Sequence, residues 1–133
     1  MTPEWSDRAL MLSPAGITLC TTEAMFENVM RSQHVPKPWP RFIVTDHAHA
    51  TAHWINEPGM YGPISVTCIH PTLDRDQLEV VGLIVHEAVH VWQRIAAYIG
   101  ETEPSAEFEA YSVQGIAQTL LGEYRRQVYG AVL

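Results

Sequence analysis

The spacing of apolar and polar positions predicts two long helices in the second half of the chain. The first begins after Asp74 or Asp76 and runs to about Ile99, and at about 100° per residue its apolar residues occupy most sides of the helix. A helix that is apolar on most sides is typical of a central, buried element. The residues on the side opposite positions 86 and 90 are Val81, Val85, Ala88, Trp92 and Ile99. Gly100 is placed to end this helix, and a second helix is predicted from Pro104 to Leu121 after a short loop. A short loop makes the two helices antiparallel neighbours.

The first half of the chain predicts shorter elements. Helical patterns cover residues 4–12 and 21–31, and a proline-rich connector over residues 34–40 separates them from three β-rich runs. These runs are Phe42 to Thr45, His49 to Ile55 and Ile64 to His70. The pattern predicts an α+β fold in which a small antiparallel or mixed sheet packs on the two long helices.

Composition and charge narrow the class of protein. A chain of 133 residues that is 47% hydrophobic is enough for one domain with one core. The net charge of -7 argues against general nucleic-acid or anionic-membrane binding, which needs basic surface. Because we find no leader pattern, no membrane span and only two cysteines, we expect a cytoplasmic protein with reduced thiols.

The candidate chemistry lies in the first long helix, at His86-Glu87-Ala88-Val89-His90. Residues four apart on a helix point the same way, so His86 and His90 can offer two imidazole nitrogens to one metal ion. Glu87 lies about 100° round the helix, where its carboxylate can reach a water that the metal activates. Unpartnered imidazoles and a carboxylate on a buried helix are costly to desolvate. The motif therefore predicts a zinc hydrolase site rather than hydrogen-bonded core histidines.

A catalytic zinc ion usually takes three protein ligands, so a further donor is expected after His90. Glu107 and Glu109 both qualify by type. On the predicted second helix Glu109 shares a face with the apolar residues that would pack on the first helix, whereas Glu107 faces the other way. We favour Glu109 as the third ligand and keep Glu107 as the alternative.

These residues resemble the gluzincin signature of the thermolysin and aminopeptidase branches of zinc metallopeptidases. His86 and His90 are followed, after eighteen intervening residues, by Glu109. The resemblance implies that His86, His90 and Glu109 bind Zn²⁺, that Glu87 is the general base, and that residues 1–133 form one zincin-like metallopeptidase domain similar to small stand-alone bacterial and phage zincins. Two positions depart from the branches. Val113 stands where the thermolysin branch has Asp, and Ala110-Tyr111-Ser112 stand where the aminopeptidase branch has Gly-Phe-Ala.

The resemblance also implies a peptide or protein substrate, held by the strand that precedes the active helix, here Ile64 to His70. An oxyanion-stabilising donor is expected near the metal, and the sequence does not rank the candidates. These are His47, His49, His53, His70, Tyr61, Tyr111 and Tyr124.

Two other functions use the same residues. A zinc hydrolase of a non-peptide amide would share the whole constellation and differ in pocket shape. A non-catalytic domain stapled by zinc would not need Glu87, because a structural site has no use for a base.

Overall fold

The computed structural model describes residues 13–45, 48–71 and 75–130, and in them the chain is a small α+β domain. Three strands form one sheet and three helices pack on it. The strands are β1 Gly16–Cys20, β2 Ala50–Ile55 and β3 Ile64–Ile69, and the helices are α1 Glu23–Ser32, α2 Gln77–Ile99 and α3 Ala106–Tyr129. The α+β prediction is confirmed at this level.

The sheet is mixed, with the order β1-β3-β2. β3 pairs with β1 in parallel and with β2 in the antiparallel direction, so it has hydrogen-bonded partners on both sides. All six residues of β3 are buried. The prediction that Ile64 to His70 would be the strand that pairs with a substrate is therefore wrong, because both of its edges are already occupied. Among the described strands β2 has an unpaired edge beside α2.

The two long helices cover one face of the sheet. α2 packs on β2, α3 packs on β1, and the two helices pack on each other. The centre of this core is made of fully buried apolar side chains, namely Leu19, Ile69, Ile84, Val91 and Leu120. Apolar burial of this kind contributes about 25 cal/mol per Å² of surface removed from water. It fixes the rotation of α2 and so determines which of its side chains reach solvent.

The ends of the long helices follow their sequence signals. Asp76 caps α2 by accepting a hydrogen bond from the backbone N–H of Leu78 at 2.9 Å, and Gly100 closes it in the left-handed conformation at φ 78°. Ser105 caps α3 in the same way through Phe108. α3 continues past the predicted end at Leu121, since Tyr124 carries on the buried stripe beyond Gly122.

The other face of the sheet is covered by α1 and the connector that follows it. Phe26 and Met30 of α1 pack with Phe42, Val66 and Cys68. The predicted strand Phe42 to Thr45 is wrong, because side chains take the place of its ladder partners. The carbonyl of Phe42 accepts from His53 Nε2 at 3.0 Å, and the N–H of Val44 donates to the hydroxyl of Thr51 at 3.1 Å.

Two further elements differ from the prediction. β1 was not predicted, and the helix expected over residues 4–12 lies outside the described residues. α1 matches its prediction, with Thr22 as the cap that accepts from the N–H of Met25.

Candidate metal centre

His86 and His90 come together on the exposed side of α2. Their Nε2 atoms lie 3.2 Å apart and their ring centroids 4.8 Å apart, with the ring planes at 79°. Two nitrogens bound tetrahedrally to one zinc at about 2.0 to 2.1 Å would lie about 3.3 to 3.4 Å apart. The two imidazoles therefore already have nearly the spacing that a shared zinc ion requires.

Gln93 orients the second of these rings. Its side-chain oxygen Oε1 lies 3.0 Å from His90 Nδ1. Because an amide oxygen can only accept, Nδ1 carries the proton and His90 Nε2 keeps a free lone pair. That lone pair faces His86 Nε2 across 3.2 Å. Ligating histidines usually donate their other ring N–H to such an acceptor.

Sequence reasoning missed Gln93, although a signal was present. It stands three residues after His90, and residues three apart on a helix are neighbours.

Glu87 is buried between α2 and the edge of the sheet, with only 7% of its surface exposed. Burial raises the pKa of its carboxyl group above the usual value, while the neighbouring His86 and His90 and a hydrogen bond from the backbone N–H of Ala52 in β2 act to lower it. The position fits the predicted general base, a carboxylate held beside the two imidazoles without being a ligand.

The rotation of α2 differs somewhat from the predicted one. Val81 and Val85 were expected in the core but are exposed, whereas Glu87 is buried. The reason is that β2 covers the Glu87 side of the helix, where the N–H of Ala52 contacts the carboxylate. The buried positions of α2 are Val80, Ile84, Glu87, Ala88, Val91, Trp92, Ile95 and Ala96.

Glu109 lies in the first turn of α3, where its Oε2 accepts a hydrogen bond from Trp92 Nε1 at 3.0 Å. Trp92 is itself buried and stacks on Phe108 with ring centroids 5.5 Å apart. Glu109 was predicted to face the core, and this is wrong, since the residue is exposed. The predicted apolar face does pack on α2, but its buried residues begin only at Ile116 and continue with Leu120 and Tyr124.

The structure thus assembles part of the predicted ligand set. It brings His86, His90 and Glu87 together, but it places Glu109 against Trp92, on the side of α2 opposite the two histidines. Glu107 is exposed on the same turn as Glu109. Within residues 13–45, 48–71 and 75–130, no group of three or more His, Cys, Asp or Glu side chains is arranged to hold a metal ion.

The candidate oxyanion donors are scattered. His53 is buried under the opposite face of the sheet, and the ring of His70 packs on Phe42 at 4.9 Å. Tyr124 is buried at the far end of α3. Tyr61, Tyr111 and His49 are exposed, and His47 lies outside the described residues.

A cavity of about 290 Å³ lies between β2 and α2, next to the histidine pair. Ala52, His53 and Trp54 line it from the strand, and His90, Gln93 and Arg94 from the helix.

Comparisons with protein-family models, with curated proteins and with solved structures give no match.

A search for membrane spans among the described helices finds none with both the length and the apolar character that crossing a bilayer requires.

Proposed function

We propose that this protein is a zinc-dependent hydrolase that cleaves peptide bonds. The observation that carries the proposal is the 3.2 Å separation of His86 Nε2 and His90 Nε2 on one helical turn, beside the buried carboxylate of Glu87. Two imidazoles alone would suit a structural site as well. A base held next to them is what a hydrolase needs and a staple does not.

In this proposal His86, His90 and Glu109 hold the zinc ion, with Glu107 as the alternative third ligand. Glu109 reaches α2 through its hydrogen bond to Trp92, which lies on the side of the helix opposite the two histidines, so its assignment as the third ligand rests on its spacing from His90. Trp92 donates its hydrogen bond to Oε2 of Glu109, so Oε1 keeps its lone pairs for a metal ion. The spacing from His90 also resembles that of gluzincins, and a zincin-like identity for the fold is part of the same proposal.

Bound zinc would polarise the scissile carbonyl and make the attacking water more acidic. Glu87 takes the proton from that water and passes it to the leaving amine. The Ala52 N–H fixes one side of this carboxylate, so that its orientation is set by the sheet and not by solvent. Gln93 keeps the His90 Nε2 lone pair free for the ion.

The edge of β2 suits an extended peptide. A strand with an unpaired edge can accept another strand through main-chain hydrogen bonds, which tolerate many side chains. β2 is such a strand, and it runs past Glu87 on the side where the cavity opens. This favours a peptide substrate over a small non-peptide amide, which would not need a strand edge.

The test compares the zinc-loaded wild type with E87Q. We expect E87Q to retain stoichiometric zinc and to lose hydrolysis of a mixed fluorogenic peptide library by at least about 100-fold, because a general base contributes on that order. The control is E79Q, an exposed Glu in the first turn of the same helix, which should leave the rate unchanged.

Three results would contradict the proposal. If E87Q cleaves as fast as the wild type, Glu87 is not the base. If both proteins bind zinc but cleave nothing, the zinc ion has a structural role only. If only non-peptide amides are turned over, the peptide assignment is wrong.

A further inference from the structure

We propose that Arg94 makes this hydrolase selective for peptides that carry a carboxylate within about three residues of the bond that is cut. The carboxylate is either an Asp or Glu side chain or the free C-terminus of the peptide. This inference rests on the proposed function and names its substrate class.

The position of Arg94 on α2 is the first observation that supports the proposal. It follows His90 by one turn and Glu87 by two turns, so it lies about 20° round the helix from Glu87 and about 10.5 Å along the axis. Arg94 therefore shares the β2-facing side of α2 with Glu87. An extended peptide advances about 3.3 Å per residue. A residue some three positions from the bond held at Glu87 would lie level with Arg94.

The cavity carries the second step. Arg94 lines the space between β2 and α2 together with His90 and Trp54. No Asp, Glu or Lys and no second Arg lines this space, so Arg94 is the residue there that carries a permanent charge. A guanidinium is a planar fork of donors that matches a carboxylate.

The lack of a partner carries the third step. Among the described residues Arg31, Arg75 and Arg126 each lie beside a glutamate, whereas Arg94 forms no ion pair and no hydrogen bond. A chain with a net charge of -7 has abundant carboxylates, yet none of the described ones is placed against this guanidinium. Its donors are thus available to a ligand in the cavity.

Charge complementarity fixes the class of ligand. The acidic surface repels an acidic peptide in general, and Arg94 offsets this repulsion at the one place where the peptide enters beside His90. A neutral peptide would leave the guanidinium without a partner, whereas a carboxylate would pair with it.

The experiment uses the zinc-loaded full chain and two pairs of fluorogenic peptide libraries. In the first pair, a library with Asp at a given position is compared with a library that has Asn there, and each position is tested in turn. All peptides of this pair have an amidated C-terminus. In the second pair a free C-terminal carboxylate is compared with the amide. In one of the two pairs we expect the peptide with the carboxylate to be cleaved at least about 10-fold faster than its neutral counterpart. A factor of this size is in the range of a charge-assisted hydrogen bond. The pair that shows the preference identifies the source of the carboxylate.

Substitutions assign the preference to the residue. R94Q should remove the preference, so that both members of the pair are cut at the same rate, and R94E should transfer the preference to peptides that carry Lys. The matched control is R125Q. Arg125 forms no ion pair among the described residues, and it lines a groove between the start of α2 and the end of α3. R125Q should keep the wild-type preference.

Binding gives a second readout that does not depend on turnover. Zinc-loaded E87Q should bind the preferred peptide at least about 10-fold more tightly than E87Q/R94Q does. If the wild type cuts both members of each pair alike, or if R94Q keeps the preference, the inference is wrong while the hydrolase stands. If the wild type cuts no peptide at all, the proposed function fails and this inference fails with it.

Discussion

At the scale of single residues, the chemistry of α2 depends on which ring nitrogens carry protons. The Nδ1–H of His90 donates to the side-chain oxygen of Gln93. The Nε2 of His90 therefore keeps a lone pair, and this atom lies 3.2 Å from His86 Nε2. Without the amide oxygen the imidazole could take the other tautomer and would lose its preferred orientation. Gln93 is therefore a positioning residue for the proposed zinc site.

The first prediction at this scale concerns Gln93. We expect Q93L to weaken zinc binding by about 10- to 100-fold, the usual effect of losing such a hydrogen bond, and Q93E to retain tight binding because a carboxylate also accepts. Q118L is the matched control, since Gln118 is an exposed glutamine on α3. Competition with a chromophoric chelator measures the affinity. Equal affinities for Q93L and wild type would disprove the role of Gln93.

Much of the site at this scale was predictable from sequence. The spacing of His86 and His90 predicts convergent rings on any helix, and Glu87 follows from the same geometry. The exposure of Glu109 was not predictable, because it depends on where α3 first meets α2. The contacts with Ala52 and Trp92 come from other elements, and the local pattern carries no information on them.

At the scale of elements, the long helices were predicted better than the strands. α2 and α3 have strong periodic patterns, and Gly100 ends α2 as expected. β1 has five residues and begins at a glycine, and its parallel partner lies more than forty residues away. Such distant pairing leaves little trace in a local pattern.

His53 links two of these elements, since its Nε2–H donates to the carbonyl of Phe42 and its ring lies 5.1 Å from that of Phe26. Burial lowers the pKa of His53 below its usual value, although the hydrogen bond to Phe42 opposes this. The folded protein therefore keeps His53 neutral at a pH where the unfolded chain takes up a proton. The titration of His53 should not reduce the unfolding free energy above about pH 6.5. Below that pH the unfolding free energy should fall as the pH drops towards the folded-state pKa of His53.

The second prediction follows from this linkage. Between pH 7.5 and 5.5 the unfolding free energy of the wild type should fall more steeply than that of H53Q, by at most about 1.4 kcal/mol per pH unit. Gln keeps a donor for the Phe42 carbonyl but does not titrate in this range. Urea unfolding of both proteins at the two pH values measures the difference. Equal slopes would show that His53 does not contribute to the acid sensitivity.

At the scale of the whole molecule, the sheet and the two long helices place His86, His90, Glu87 and the cavity beside β2 next to one another on α2. The core behind α2 holds its rotation, and β2 supplies both the contact to Glu87 and an unpaired edge. The small domain thus holds a convergent histidine pair near an edge strand of its sheet. The third ligand would have to come from α3, which touches α2 at Trp92 through Glu109.

The most direct test of this account is X-ray absorption spectroscopy at the zinc edge on the zinc-loaded protein. We expect one zinc per chain with two imidazole nitrogens and two oxygen donors at about 2.0 to 2.2 Å, one of them from a carboxylate. E109Q should change the oxygen shell, whereas E107Q should leave it as in the wild type. A chain that retains no zinc at neutral pH, or a zinc shell without two imidazoles, would contradict the account.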